Sequence, residues 1–437
     1  MNHTVREYGA AGDGRTDDRS AIQAAIDAVC ASGGGRVTLE SGHTYYSSSL
    51  ILKENVDLHV EKGARLLASA DLSTYVHPND GQRDAGVDRV GTPVTLKPSY
   101  AFLYAKDAAH VTISGEGVID GNCYAFVKRV SPYYVTGDFY PRPTLIYAEH
   151  CDHLTVKDIT LTNAPFWTLH PAGCDDVLIS RIRILNPLDV ANSDGIDPDH
   201  SKNVRILGCH IECADDAICL KSSSGNMEYG PTENVVIADC TLVSTSAALK
   251  IGTEGTGDFR NVTVHDCHIS RSNRGISIQI RDGGNVEHVF FTNIFIDTRR
   301  FADCWWGTAE PITISSHDRD QETHSGTIRD IRFAHIRCDS ENGVFFSGSP
   351  EKKIKDVVLE DVSVTLRTKS RWPKGQYDLR PGYGKGIEEC KSAGFMVRDV
   401  DGIRFTDCQV AFADDGGGKF GETCVLQDSL RVRGEVL

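Results

Sequence analysis

Val204-Arg205-Ile206-Leu207-Gly208-Cys209-His210-Ile211 decides the fold, because its apolar spacing returns along most of the chain. The apolar positions are the first, the second after it, the fifth and the seventh. The same pattern starts again at Leu154, Val177, Val235, Val262, Val289, Ile331, Val357 and Ile403, so nine copies share it. Two residues on in the other copies stand Val156, Ile179, Ile237, Val264, Phe291, Phe333, Leu359 and Phe405. Copies recur at about 23–31 residues and stretch to about 42–46 where loops intrude. Alternation with a period of two marks strands. The step from the second to the fifth position marks a bend between them. A repeat of this length made of short strands is the signature of a parallel β-helix, in which like residues stack at ~4.8 Å.

Outward from that stretch, weaker copies start near Val56 and Val111. The chain therefore reads as one all-β solenoid domain over residues 1–437. Residues 1–50 form a cap region with the first strands, and 51–437 form coils with inserted loops. A solenoid needs its first coil covered, because an open end exposes core and unpaired strand edges. A helix from about Asp18 to Cys30 supplies that cover. Thr16 or Asp17 caps it, Ile22, Ala25, Ile26 and Val29 form its apolar stripe, and Gly33-Gly34-Gly35 stops it.

The 437 residues carry a net charge of −15, which argues against nucleic acid as a partner. With 40% hydrophobic residues the chain can bury a large core. Met1 to Glu7 lacks the apolar core of a signal peptide, and no run is long enough to span a bilayer. The expectation is a cytoplasmic protein, or a secreted one whose leader is absent from this sequence. The 14 cysteines include no CxxC pair. Cys209, Cys240, Cys267 and Cys408 fall in one inward column and Cys338 in another, so they read as small buried core residues. No metal and no cofactor are expected.

Longer insertions lie near 72–99, 123–143, 222–231, 298–326 and 366–396. Several carry aromatics: Tyr133, Tyr134, Phe139 and Tyr140, then Trp305 and Trp306, then Trp372, Tyr377 and Tyr383. Flat rings suit stacking on sugar faces, and Trp305-Trp306 is the first choice for ligand contact.

Two acidic stretches sit one coil apart: Asn192-Ser193-Asp194-Gly195-Ile196-Asp197 and Asp215-Asp216-Ala217-Ile218. A second alignment sets Trp167-Thr168-Leu169-His170, Asp194 to Asp197, Asp216 to Cys219, Ala247-Ala248-Leu249-Lys250 and Arg274-Gly275-Ile276-Ser277 in register. The third position points inward. His170, Asp197 and Lys250 then share an outer column, beside Trp167, Asp194, Asp216 and Arg274. Like charges on adjacent coils raise at least one pKa, which suits a general acid. Cleaving a glycosidic bond takes two carboxyl groups, one to protonate the leaving oxygen and one to activate water or attack carbon. The residues alone leave three readings open: a glycosidase, a calcium-assisted lyase, or a non-catalytic carbohydrate-binding solenoid.

These stretches resemble the polygalacturonase-like glycoside hydrolases of family 28, on the pectin-lyase-like right-handed β-helix. Tyr8-Gly9-Ala10-Ala11-Gly12-Asp13-Gly14 with Thr16-Asp17-Asp18 is similar to the superfamily's opening. Asn192-Ser193-Asp194 and Asp215-Asp216 match the family's Asn-x-Asp and Asp-Asp motifs. The resemblance implies Asp215 as general acid, Asp194 and Asp216 as activators of water, and single displacement with inversion. Two family motifs are missing. The Gly-His-Gly position reads Ser246-Ala247-Ala248, and the Arg-Ile-Lys position reads Ser277-Ile278-Gln279. Asn192, Asp197, His170, Lys250, Arg274, Arg281, Trp305 and Trp306 are the expected substrate contacts. The expected substrate is a pectin-derived or related plant-type oligosaccharide or polysaccharide, and not ordinary homogalacturonan.

Overall fold

Each bend of the repeat is closed by one residue in the left-handed region. That residue lies four positions after the start of each copy: Asp158, Arg181, Gly208, Asp239, Asp266, Asn293, His335, Asp361 and Asp407, with φ between 51° and 63°. The residue just before each start is left-handed too, from His153 (φ 56°) through Asn203 (φ 54°) to Gly402 (φ 86°). Asn, Asp and Gly enter this region at least cost, which is why they crowd these corners. Between two such corners the chain has room only for a short strand.

The structure is a computed structural model that describes residues 2–79, 97–127, 141–302, 306–351, 354–381 and 386–437. Trp305, Tyr133, Tyr134, Phe139, Tyr140 and Tyr383 lie outside the described residues. Two compact units are present, one of Met1–Ala214 with Glu228–Gly230 and one of Asp215–Met227 with Pro231–Leu437. Each is built of stacked parallel coils, and the fold is a right-handed parallel β-helix.

In the first unit the repeat columns pair as expected, Val156 with Ile179, Val177 with Val204, and Leu161 with Ile184 and Ile211. A second, four-stranded parallel sheet holds Leu50–Leu52, Ala101–Lys106, Thr144–Glu149 and Leu169–Ala172. A bridge from Leu169 to Ile196 extends it, so His170 and Asp197 do share an outer column. The helix spans Arg19–Ala31 and buries Ile22, Ala25, Ile26 and Val29, the expected stripe. Its cap differs from the expectation. Asp18 occupies the N-cap position, but its carboxylate turns away to accept from the N–H groups of Ala11 (2.6 Å) and Gly12 (3.1 Å). Asp17 accepts from the Arg19 N–H at 3.0 Å instead. Gly34 is left-handed, and a Cβ there would meet Asn55 at 2.5 Å, so only glycine ends the helix this tightly against the next strand.

In the second unit four long strands, Phe259–Ser272, Val286–Thr298, Ile328–Ser340 and Ile354–Leu366, stack in one register. Val262, Val289, Ile331, Val357 and Ile403 pair in sequence, and Phe291 stacks on Phe333 with centroids 5.1 Å apart. Burying each such ring contributes roughly 2–3 kcal/mol. A seven-stranded parallel sheet begins with Ile218–Ser222, Ala247–Gly255, Arg274–Ile280 and Ile312–Ser316. Its register aligns Cys219, Lys250, Ser277 and Thr313 in one outer column. Cys209, Cys240, Cys267, Cys338 and Cys408 are buried free thiols, as the column reading requires.

Candidate active site

In the first unit, Asn192 is a left-handed residue (φ 57°) that opens the turn leading to Asp194. The guanidinium of Arg142, itself buried, clamps that turn. It donates to the carbonyls of Ala191 (2.6 Å) and Pro165 (2.9 Å) and to Asn192 Oδ1 (2.9 Å). Asn192 therefore gives its amide oxygen to the scaffold. Ser193 Oγ accepts from the N–H of Ala214 at 3.2 Å, and its carbonyl accepts from Asn186 at 3.2 Å. The strand pairing continues through Asp194, whose carbonyl accepts from the Thr168 N–H at 2.9 Å. Asp194 and Asp197 are both buried. His170 Nε2 lies 3.2 Å from Asp199 Oδ2, and its ring is edge-on to Trp167 at 4.8 Å and tilted on Tyr147 at 4.9 Å. Asp199 was not singled out in the sequence, although its place two residues after Asp197 puts it on the same outer face.

In the second unit, Asp215 and Asp216 precede the strand Ile218–Ser222. Ser244 Oγ donates to the carbonyl of Asp215 at 2.6 Å, and Asp215 Oδ1 accepts from the Asp216 N–H at 3.0 Å. The Asp216 carboxylate is almost fully buried. Oδ1 accepts from Ser246 Oγ (2.8 Å) and the Ala247 N–H (3.2 Å), and Oδ2 accepts from Lys250 Nζ at 2.6 Å. Burial alone would raise its pKa. The ammoniums of Lys250 and Lys221 and the Ser246 hydroxyl outweigh burial and hold the carboxyl below the usual range. At Asp216, then, the neighbouring cations decide the direction of the shift. The missing Gly-His-Gly position thus supplies Ser246, a direct hydrogen-bond donor to Asp216.

Two further ion pairs lie on the same sheet face or beside it. Lys221 Nζ contacts Glu254 at 3.3 Å, and Arg319 grips Asp282 through two bonds of 2.5 and 2.7 Å. Glu254 is half-buried, which raises its pKa, yet Lys221, Arg319 and Lys250 outweigh this and hold it below the ordinary value. None of Lys221, Glu254, Asp282 and Arg319 was singled out in the sequence. They are separated by about 28–98 residues and follow no period, so no spacing signal marks them.

Two of the expected substrate contacts are committed elsewhere. Arg281 is fully buried, and its donors go to Pro381, Ile280, Ser315 and Leu379, five bonds of 2.6–3.2 Å. A guanidinium has five N–H groups, so none remains for a sugar. Arg274 is also buried and donates to Glu310 (3.3 Å), Gln279 (3.3 Å) and the Asp378 carbonyl (2.6 Å). Both arginines pin the 376–381 segment to the sheet, a role invisible in sequence because its partners lie about 100 residues away. Trp306 is half-buried, and its carbonyl accepts from Asn273 at 2.6 Å.

Parallel coils that present buried, hydrogen-bonded carboxylates on an outer sheet face fit a β-helix enzyme of carbohydrate cleavage. The chain belongs to glycosyl hydrolases family 28, whose model matches residues 81–375. It is a glycoside hydrolase. A probable polygalacturonase of Vitis vinifera is 27% identical over 383 residues, covering 84% of this chain and 74% of that one. Among solved structures, an exopolygalacturonase from Thermotoga maritima is similar at a TM-score of 0.70 and 24% identity, covering 84% of this chain and 87% of that one. A family 28 exopolygalacturonase from Yersinia enterocolitica is similar at a TM-score of 0.73 and 16% identity, covering 99% and 78%. The two structural likenesses speak for the fold.

Proposed function

We propose that the protein hydrolyses glycosidic bonds of pectin-derived or related plant-type oligosaccharides by single displacement with inversion. Asp215 protonates the leaving oxygen. Asp194 and Asp216 take the proton of a water that attacks the anomeric carbon from the opposite face. The observation that carries this reading is the state of Asp216, a buried carboxyl held ionised by Lys250. A base must be ionised before the reaction, and the Lys250 ammonium keeps Asp216 in that state. Support also comes from the family, from the matching Asn192-Ser193-Asp194 and Asp215-Asp216 motifs, and from the bond between Ser193 and Ala214, the residue before Asp215.

We further propose that the sugar beside the second unit's sheet is neutral, so that ordinary homogalacturonan is a poor substrate. The relatives named polygalacturonases act on an acidic polymer by name, and the Arg-Ile-Lys position here reads Ser277-Ile278-Gln279. Among the described residues near that position, Lys250 faces Asp216, Lys221 Glu254, Arg319 Asp282 and Arg274 Glu310, while the donors of Arg281 go to carbonyls and a hydroxyl. A substrate carboxylate would compete with these internal partners instead of meeting an uncommitted charge.

The test is a panel of defined pectic and neutral oligosaccharides, with NMR observation of the anomer first released. Inverted product is expected, with faster turnover where a neutral sugar flanks the cleaved bond. Initial release of the retained anomer would sink the single displacement, and an unsaturated product absorbing in the ultraviolet would make the protein a lyase. Oligogalacturonate as the best substrate would overturn the neutral-sugar reading alone.

A further inference from the structure

We propose that Lys250 is a positioning residue that prepares Asp216 as a base, both by fixing the carboxylate's rotation and by keeping it charged. This rests on the reading of Asp216 as a base and adds what makes it one.

A carboxylate offers about four acceptor positions. Among the described residues three are filled at Asp216, two on Oδ1 by Ser246 and Ala247 and one on Oδ2 by Lys250. The remaining position lies on Oδ2, beside the ammonium. The Ser246 and Ala247 donors sit on one side and Lys250 on the other, so the plane cannot turn without breaking a charge-assisted bond. A single open position on a fixed plane aims a water in one direction, which is the condition for in-line attack.

Lys250 is placed for this by the sheet itself. It stands in the outer column between Cys219 and Ser277, and its strand pairs with the one that follows Asp216. Its side chain is almost fully buried, and Asp216 Oδ2 is its hydrogen-bond partner among the described residues. The charged and titratable groups of this unit that face the pair are Lys221, Glu254 and the Cys219 thiol, with Asp215 adjacent in the chain. Lys221 is engaged by Glu254, and Arg319 beyond it by Asp282. Lys250 is therefore the cation in direct contact with the base. Burial opposes its charge, but the Asp216 carboxylate prevails and its pKa is raised, so it stays protonated across the working range.

The experiment measures kcat and KM against pH for wild type, Lys250→Gln, Lys250→Arg and Asp216→Asn, using the oligosaccharide of the panel that the wild type cleaves fastest. Lys250→Gln should lower kcat about 100-fold. KM should stay within about threefold, and the acidic limb of the kcat profile should move up by about one pH unit or more. Lys250→Arg should restore the limb. A raised KM with kcat and the limb unchanged would overturn the proposal and make Lys250 a grip on the sugar. Wild-type kcat in Asp216→Asn would instead sink the base reading itself.

Thermal unfolding gives a readout free of turnover. In the wild type the folded pKa of Asp216 is depressed, so its stabilisation is present above the unfolded value and lost as pH falls through the folded one. The Tm gap between wild type and Lys250→Gln should be wide at pH 7 and close below about pH 4. In the Asp216→Asn background the Lys250→Gln substitution should lose that pH dependence. A gap equal at both pH values would overturn the proposal.

Discussion

The outer faces of the two sheets are built from different chemistry. In the first unit, Tyr104 and Tyr147 stack with planes 1° apart and centroids 5.9 Å apart, and His170 follows at 4.9 Å from Tyr147. In the second unit the outer column of the same repeat position carries Cys219, Lys250, Ser277 and Thr313, among ion pairs. One face is ring upon ring along Tyr104, Tyr147 and His170, and a buried carboxylate, Glu149, lies among rings and lysines there. There Lys97 (2.6 Å), Lys106 (3.2 Å) and Tyr229 (3.0 Å) converge on one carboxyl oxygen. The other face is a row of fixed charges. A ring surface holds a ligand by contact area and tolerates small shifts, whereas fixed charges act on one developing charge at one place. The difference teaches that the ring column suits holding a ligand by contact area, and the charged column suits acting on one developing charge.

The sharpest way to break this contrast is to compare Asp216→Asn with His170→Ala. Asp216→Asn should lower kcat by about 1,000-fold or more with little change in KM. His170→Ala should act mainly on KM, and a kcat loss equal to that of Asp216→Asn would erase the contrast. Next in size is Glu149→Gln, which leaves two lysines facing a neutral amide. About 2–3 kcal/mol of stability should be lost in urea unfolding, at the low end for a broken buried pair because Lys97 and Lys106 keep some water. The sign with pH is fixed. Burial raises the Glu149 pKa, but Lys97, Lys106 and Tyr229 prevail and depress it. Its contribution is therefore present above the unfolded value near pH 4.3 and fades as pH falls through the folded one. Wild type and Glu149→Gln should converge in acid, and a gap that persists there would show that packing, not charge, is what the substitution removes. The smallest effect is expected from Tyr104→Ala. Stacking of this kind is worth about 0.5–1.5 kcal/mol, so KM should rise no more than roughly tenfold with kcat kept. A fall in kcat there would move part of the chemistry to the aromatic face.

The fold was largely legible because it repeats. Four apolar columns predicted the strands, and the missing step between the second and fifth positions located every left-handed corner from Asp158 to Asp407. The capping helix was legible down to the four residues it buries. The orientation of Asp18 was not, since helix-cap rules do not register a competing pair of N–H groups six and seven residues earlier. At the site the acidic residues showed themselves by motif and register. The register also set the outer column of Lys250 beside that of Asp216, and the structure joins the two. What stayed hidden were partners brought in by insertions: Arg142 under the Asn192 turn, Glu254 and Arg319 around Lys221, and the 376–381 segment that occupies Arg274 and Arg281. These contacts join aperiodic loops to periodic strands, and neither hydrophobic period nor charge spacing encodes them. Arginine invited a ligand reading in both cases because its commonest sequence-level association is with anions, whereas a buried guanidinium satisfied by carbonyls leaves no such trace.

The one-residue corner has a consequence for how such a chain can change over time. A single added residue between the second and fifth positions would reverse the alternation of every residue that follows in the coil and turn core outward. In all nine copies that interval is kept, while the distance from one copy to the next varies from about 23 to about 46 residues. One corner of the coil is thus closed to insertion and the remaining arc is open to it. Novelty is channelled to the loops, and a lineage can exchange what it recognises while the frame that carries its acids keeps its count.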